Sequence, residues 1–288
     1  MVTDTPDTGP FPLFQNELAT LYLGDATDVM SKMSDQSVDL IFADPPYRLS
    51  NGGISVQNGR QVSVDKGDWD RSGGVNSDHE FNSRWLSQCL RLLKPNGTIW
   101  VSGTYHSIYS CGFAMQKLGF RILNEVSWFK PNASPNLSRR MFTASHETLI
   151  WASKSSKSKH IFNYDEMRGE DGLTDRFKNT GKQMRTVWEI DHELDVWAIP
   201  TTPAREKTQG RHPTQKPLAL LERIVRASSN PGDMILDPFL GSGTTAVAAI
   251  NNGRRVIGVD SSAEFLNEIA IPRIDAASEV RSEKQLSP

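Results

Sequence analysis

The tetrapeptide Asp44-Pro45-Pro46-Tyr47 follows directly on the apolar run Val38 to Ala43, so a carboxylate stands at the end of a strand-like segment. Two prolines fix the turn and remove two backbone donors, leaving the Asp44 carboxylate and nearby carbonyls as outward-facing acceptors. A site made of acceptors suits a substrate that brings donors. An aryl amine is such a substrate, with two N–H groups and a lone pair delocalised into its ring. If Asp44 and the Pro45 carbonyl each take one hydrogen bond, the nitrogen can pyramidalise and point its lone pair at an electrophile. Tyr47 would stack on the ring and hold it. Taken alone, the tetrapeptide also reads as a structural Pro-Pro turn.

Near the other end, Leu236 to Thr245 reads L-D-P-F-L-G-S-G-T-T, in which an acidic residue ends a strand and two glycines open a helix. Gly241 and Gly243 permit a tight turn and a close approach to a ligand at the carboxyl end of a sheet. By itself this too is only a strand-to-helix turn. Asp260 follows 17 residues after Gly243, ending the strand V-I-G-V-D, where a carboxylate can accept hydrogen bonds from both hydroxyls of a ribose. The loop lacks the third glycine of a dinucleotide fingerprint and the lysine of a P-loop, which favours a nucleoside without phosphates. S-adenosylmethionine is such a ligand, and its sulfonium methyl is an electrophile.

Strand-length apolar runs at Leu21 to Leu23, Val38 to Ala43, Gly97 to Ser102 and Arg121 to Phe129 alternate with helical patterns at about 26–33, 79–93 and 105–118. The Lys94-Pro95-Asn96-Gly97 turn is expected to end the second helix, with Gly97 in a turn conformation. A second set holds a helix at about 214–228, strand 234–237, helix 243–252, strand 255–259 and a final helix. This alternation predicts an α/β fold with a mostly parallel sheet and helices on both faces. Residues 48–76 are rich in Gly, Ser, Asn and Asp and are too long for a plain connector. Residues 154–211 mix charges with scattered aromatics, as a small insert would. The expected division is 1–153, 154–211 and 212–288.

The formal net charge of −2 does not mark a nucleic-acid binder. Its distribution says more, because residues 121–217 hold 16 Lys/Arg against 12 Asp/Glu. Cys89 and Cys111 fall within predicted helices and lack metal-ligand spacing; reduced thiols in a cytoplasmic protein are expected, with no metal. No run approaches a membrane span, and the first residues lack the pattern of a signal peptide.

These residues resemble the amino-methyltransferases of DNA, in which a D/N/S-P-P-Y/F segment holds the target amine and an F-x-G-x-G loop holds the cofactor. The tetrapeptide precedes the Gly loop, as in the β class. L-G-D-A (Leu23 to Ala26), W-F-K-P-N (Trp128 to Asn132), H-E-T-L-I-W-A (His146 to Ala152) and H-P-T-Q-K-P (His212 to Pro217) all occur in family order. The resemblance implies a Rossmann-like S-adenosylmethionine-dependent methyltransferase fold with a target-recognition insert at 154–211. It implies direct methyl transfer to N6 of an adenine extruded from DNA, with Asp44, Pro45, Pro46 and Tyr47 catalytic. Asp in the first position favours adenine over cytosine N4, whose enzymes usually carry Ser, and over RNA or protein amides, where Asn is usual.

By the same resemblance the cofactor would be held by Asp44, by Asp237, Phe239, Leu240, Gly241, Ser242, Gly243, Thr244 and Thr245 of the loop, and by Asp260 and Ser261. Thr214 and Lys216 would serve its methionine end. Asp25 and Ala26 would lie near the cofactor or the base, and Asp25 is equally a helix N-cap. Residues 49–70 look like those of the second adenine methyltransferase of GATC-specific restriction systems, a type that also accepts single-stranded DNA. That makes GATC a candidate target, with a homodimer and a cognate restriction endonuclease as candidate partners in a nucleoid-associated, cytoplasmic setting. Candidate DNA contacts are Arg60, Lys66, Trp69 and Arg71 in the loop and Lys130, Arg139, Arg140 and Lys182 beyond it. Trp69 would fill the gap left by the extruded base or, alternatively, anchor the loop on the domain surface.

Overall fold

The computed structural model describes residues 10–48, 54–57, 60–63, 70–131, 133, 135–136, 139–169, 177–179, 181–189 and 214–286, with 54–57, 60–63 and 284–286 described by their backbone alone. Within them, the apolar runs become strands β1 (Phe14–Gln15), β2 (Ala19–Leu23), β3 (Val38–Ala43), β4 (Ile54–Gln57), β5 (Arg60–Ser63), β6 (Leu93–Gly103), β7 (Arg121–Phe129), β8 (His146–Ser153), β9 (Val187–Trp188), β10 (Met234–Asp237) and β11 (Arg255–Asp260). Among the described residues nine form one sheet in the order β1-β2-β11-β10-β3-β6-β8-β7-β9, and β4 and β5 pair apart from it as an antiparallel hairpin.

From β2 to β6 the neighbours run parallel, so their carboxyl ends share one edge. β8 runs antiparallel to both β6 and β7. The chain therefore enters β8 at the edge where β3 and β6 end. β10 and β3 are adjacent, yet the chain leaves β3 toward β6 and leaves β10 toward β11 on the other side. This reversal is a topological switch point, where open α/β sheets place their ligand crevice.

The helices are α1 (Ala26–Ser31), α2 (Val75–Leu92), α3 (Ile108–Leu118), α4 (Tyr164–Gly169), α5 (Leu218–Ser228), α6 (Thr244–Asn251) and α7 (Ala263–Phe265), the last continuing through a π-helical turn (Leu266–Ala270) into α8 (Ile271–Leu286). Alternation along β3 decides which layer each side chain joins. Leu40 and Phe42 pack with residues of α5, α6 and α8, while Ile41 and Ala43 pack with residues of α1, α2 and α3. The expected sandwich with helices on both faces is thus present.

One local expectation is corrected. The Lys94–Gly97 segment lies inside β6 as a register shift against β3, and the helix has already ended at Leu92. Gly97 is there for room: a Cβ would meet Leu93 Cδ2 at 2.8 Å and the Asp39 carbonyl oxygen at 2.9 Å, and its φ is not positive. Within 154–211, β9 extends the main sheet beside β7 and α4 packs on α5. Cys89 and Cys111 are free and buried in α2 and α3. Burial pushes both thiols up, that of Cys111 to about 12, so neither is a thiolate at neutral pH.

Candidate active site

β3 ends at Ala43, and the next residue, Asp44, stands at the carboxyl edge of the sheet beside β10. Its two oxygens have different donors. Tyr47 Oη donates to Oδ1 at 2.6 Å, and Lys216 Nζ donates to Oδ2 at 2.6 Å. Lys216 arrives from the segment before α5, whose N-cap position is taken by Pro217, so that helix starts later than its sequence pattern suggests. Burial works against the Lys216 charge, but Asp44 and Glu147 outweigh it and raise the pKa.

Tyr47 is anchored through its hydroxyl. It is only 6% exposed and its hydroxyl touches Asp44, Ser102 Oγ (3.0 Å), Lys216 Nζ (3.1 Å) and Glu147 Oε2 (3.3 Å). Burial first, then the neighbouring carboxylates of Asp44 and Glu147, push its phenol well above the ordinary value. All four contacts are made at the hydroxyl, which donates to Asp44; they fix the tip of the ring and do not bear on the expected stacking of its face. Of the two prolines, Pro46 lines the cavity described next and Pro45 does not.

A cavity of about 360 Å³ opens at the switch point. From β2 and α1 it receives Asp25 and Ala26, with Asp25 also capping α1 by accepting from Thr27 N (2.8 Å) and Asp28 N (3.1 Å). Both readings of Asp25 thus coexist. The Gly loop contributes Asp237, Phe239, Leu240, Gly241 and Ser242, followed by Thr244 and Thr245 of α6. Asp260 and Ser261 close one side, and Thr214 and Lys216 another.

Gly243 is the exception among the expected cofactor residues, because it does not face the cavity. It is the left-handed N-cap of α6 (φ 77°), and a Cβ there would sit 3.1 Å from that of Ala270. Its role is a helix start and close packing. Gly241, with φ 53°, donates its N–H to Asp260 Oδ2 at 2.7 Å, while Asp260 Oδ1 accepts from Ser262 N at 2.8 Å. Asp260 therefore ties the Gly loop to the end of β11 and still has acceptor capacity for a ligand.

Electrostatically the cavity is acidic. Asp25, Asp44, Asp237 and Asp260 face the two cations Lys216 and Arg48, and Lys216 is already spent on Asp44. Burial raises the Asp237 carboxyl to about 7; hydrogen bonds from the Thr245 side chain and the Phe239 N–H offset this, and nearby Asp44 and Asp260 reinforce it. Such a wall suits a cationic ligand without phosphates. S-adenosylmethionine, which carries a sulfonium and an ammonium, fits this donor set and volume.

Several wall and support residues carried no signal in the sequence reading. Arg48 follows the tetrapeptide in the left-handed region (φ 59°), and its N–H donates to the buried Asp70 at 2.7 Å. Its guanidinium lies 4.5 Å from the Phe81 ring centroid, and both side chains line the cavity with Phe265. Glu147 and Ser102 stand behind Asp44. A charged residue at the head of the otherwise apolar strand H-E-T-L-I-W-A was the available clue to Glu147.

The candidate DNA contacts divide. Lys130 pairs with Glu147 and lies over the Trp128 ring at 4.6 Å, so its ammonium is turned inward; the expectation of a phosphate contact is corrected. Arg139 and Arg140 are exposed in the connection between β7 and β8, at the edge where Asp44 stands, and Phe142 beside them is 100% exposed. Arg71 is exposed and its carbonyl accepts from Arg48 at 2.9 Å; Lys182 is exposed before β9. Lys66 and Trp69 lie outside the described residues, and Arg60 is described only as backbone of β5.

An open parallel sheet with its crevice at the switch point, a Gly loop and a ribose-ready carboxylate define a Rossmann-like methyltransferase. The model of the DNA methylase family (N6/N4 methyltransferases) matches residues 38–271, and the chain belongs to that family. It is 49% identical over 269 residues to the type II methyltransferase M2.DpnII of Streptococcus pneumoniae, covering 93% of this chain and 94% of that one. With the type II methyltransferase M2.MboI of Moraxella bovis it shares 46% over 246 residues, 85% and 84% of the two chains. Among solved structures, the M1.HpyAVI–SAM complex superposes with a TM-score of 0.61 at 25% identity, over 90% of this chain and all of that one. The cytosine-N4-specific PvuII DNA methyltransferase superposes at 0.66 over 96% of each chain with 17% identity, which shows the fold alone.

Proposed function

We propose that this DNA methylase places a methyl group on N6 of adenine within GATC, using S-adenosylmethionine, after the base is extruded into the pocket beside Asp44. The observation that carries this reading is the continuity of the acidic cavity with the Asp44 turn, so that donor and acceptor sites share one wall. Bound there, S-adenosylmethionine supplies an electrophilic methyl on a cationic sulfonium. Asp44 and the Pro45 carbonyl would each accept a hydrogen bond from the amine and turn the nitrogen lone pair toward the cavity; as the new N–C bond forms and the methyl–sulfur bond breaks, one of the two amine protons is released. Lys216 and Tyr47 keep the Asp44 carboxylate in place.

The choice of adenine rests on Asp44 in the first position of the tetrapeptide, and GATC rests on the resemblance of residues 49–70 to the second methyltransferases of GATC systems. DNA would approach the edge that bears Arg139, Arg140 and Phe142, with the cations on phosphates and the ring against bases. Residues 154–211 would contribute target recognition. Single-stranded DNA as a second substrate, a homodimer, a cognate endonuclease and a place in the cytoplasm with the nucleoid belong to the same proposal. Within the described residues, no helix is long and apolar enough to cross a membrane.

The test uses the whole protein with radiolabelled S-adenosylmethionine on duplex and single-stranded oligonucleotides, with and without GATC, followed by nucleoside analysis. N6-methyladenine confined to GATC is expected. Asp44→Ala should keep cofactor affinity within several-fold and lose about two orders of magnitude or more in rate. Label in N4-methylcytosine, or near-normal turnover by Asp44→Ala, would overturn the assignment.

A further inference from the structure

Behind Asp44 runs a partly buried chain of alternating charge. Lys130 pairs with Glu147 Oε1, Glu147 Oε2 lies 3.5 Å from Lys216 Nζ, and Lys216 reaches Asp44 Oδ2. Glu147 Oε2 also accepts from the Tyr47 hydroxyl at 3.3 Å. One carboxylate thereby touches both donors that hold Asp44, one donor for each Asp44 oxygen. Glu147 does not line the cavity.

We propose that Glu147 is a positioning residue for methyl transfer, holding Lys216 in place on Asp44 Oδ2 so that the remaining lone pairs of Asp44 face the target amine. A carboxylate has about four acceptor directions, so two can be used for fixation and two left for the substrate. Without Glu147, the Lys216 ammonium would have Asp44 as its one carboxylate partner among these contacts and would lean further onto it, competing with the amine.

The placement follows from topology. β8 runs opposite to β6 and so brings the head of a strand, not its end, to the catalytic edge; Glu147 is its second residue. The residue is 9% exposed, and an ionised carboxylate at such depth is costly unless paired. Burial alone would favour its protonated form, yet Lys216 and Lys130 outweigh burial and hold it at about 2. It is anionic wherever the enzyme works.

This inference rests on Asp44 as acceptor of the target amine, and its test separates the two. Single-turnover methyl transfer, cofactor and DNA affinity and melting temperature are measured for Glu147→Gln, Lys216→Met, the double variant and Asp44→Ala. Glu147→Gln is expected to slow transfer about 10- to 100-fold, the scale for partners one layer behind reacting groups, with both affinities within about threefold of wild type. Because Glu147 acts through Lys216, the double variant should be little slower than Lys216→Met alone. Glu147→Asp keeps the charge but retracts the carboxylate by one methylene, and it should show the same rate-only loss; it carries the test if the Gln variant fails to fold. Wild-type rates, additive losses, or a rate loss that merely follows a fall in melting temperature and cofactor affinity would overturn the proposal. An active Asp44→Ala would remove the underlying reading instead, whereas an inactive one beside a normal Glu147→Gln would remove this proposal alone.

Discussion

The Tyr47 hydroxyl donates to Asp44 Oδ1 at 2.6 Å, so the last residue of the tetrapeptide fixes the first from the inside of the protein. Its raised pKa keeps it a donor at any working pH. Tyr47→Phe keeps the ring and removes only the donor. It should fold with a loss of about 1 kcal/mol and methylate about tenfold or more slowly at unchanged cofactor affinity, measured by denaturant melts and single-turnover kinetics. A wild-type rate would mean that Lys216 alone orients Asp44.

Asp237 connects the cavity to pH. With its carboxyl at about 7 in the free enzyme, it is largely protonated at pH 6 and ionised at pH 8. A cationic cofactor favours the ionised form, so affinity should rise with pH across that window relative to Asp237→Asn, which cannot ionise. Calorimetry on both proteins at several pH values isolates the difference. The sign for folding is opposite: a carboxyl raised above its unfolded value adds stability below the unfolded pKa, and this is lost as pH rises through about 7. The free wild type should therefore lose more stability than Asp237→Asn between pH 6 and 8.

Asp260 accepts two backbone N–H groups, from Gly241 and Ser262, in addition to its proposed ribose contact. Asp260→Ala should weaken cofactor binding by about 1 to 3 kcal/mol and also lower the melting temperature of the empty protein, because two loop donors lose their acceptor. Unchanged affinity by calorimetry would assign the ribose to another group.

Gly243 stands at φ 77° against Ala270. Gly243→Ala should cost about 1 to 2 kcal/mol from the left-handed backbone alone, with the close Ala270 contact adding to it. A melting temperature equal to wild type would contradict this placement.

Arg139 and Arg140 sit on the catalytic edge. Changing both to Ala should weaken DNA binding uniformly across sequences and reduce the slope of log affinity against log salt by up to about 2, as loss of two phosphate contacts requires. An unchanged slope would move the phosphate track elsewhere.

Much of the chemistry was legible in the sequence because it depends on short runs of neighbours. Two prolines after an apolar run fix a turn wherever the strand lies, and a Gly-x-Gly between a strand and a helix has few conformations open to it. The strands 38–43, 121–129 and 234–237 were read to the residue for the same reason: local periodicity decides them. Tertiary structure alone decided what stands behind these motifs. Lys216 and Asp44 are 172 residues apart and meet because β10 and β3 are neighbours at the switch point, a pairing no local pattern encodes. The reversed direction of β8 brought Glu147 to the catalytic edge, where it accepts from the Tyr47 hydroxyl and pairs with Lys130, the residue expected to meet a phosphate. Residue types and spacing determined which groups could react; the sheet order determined which of them touch.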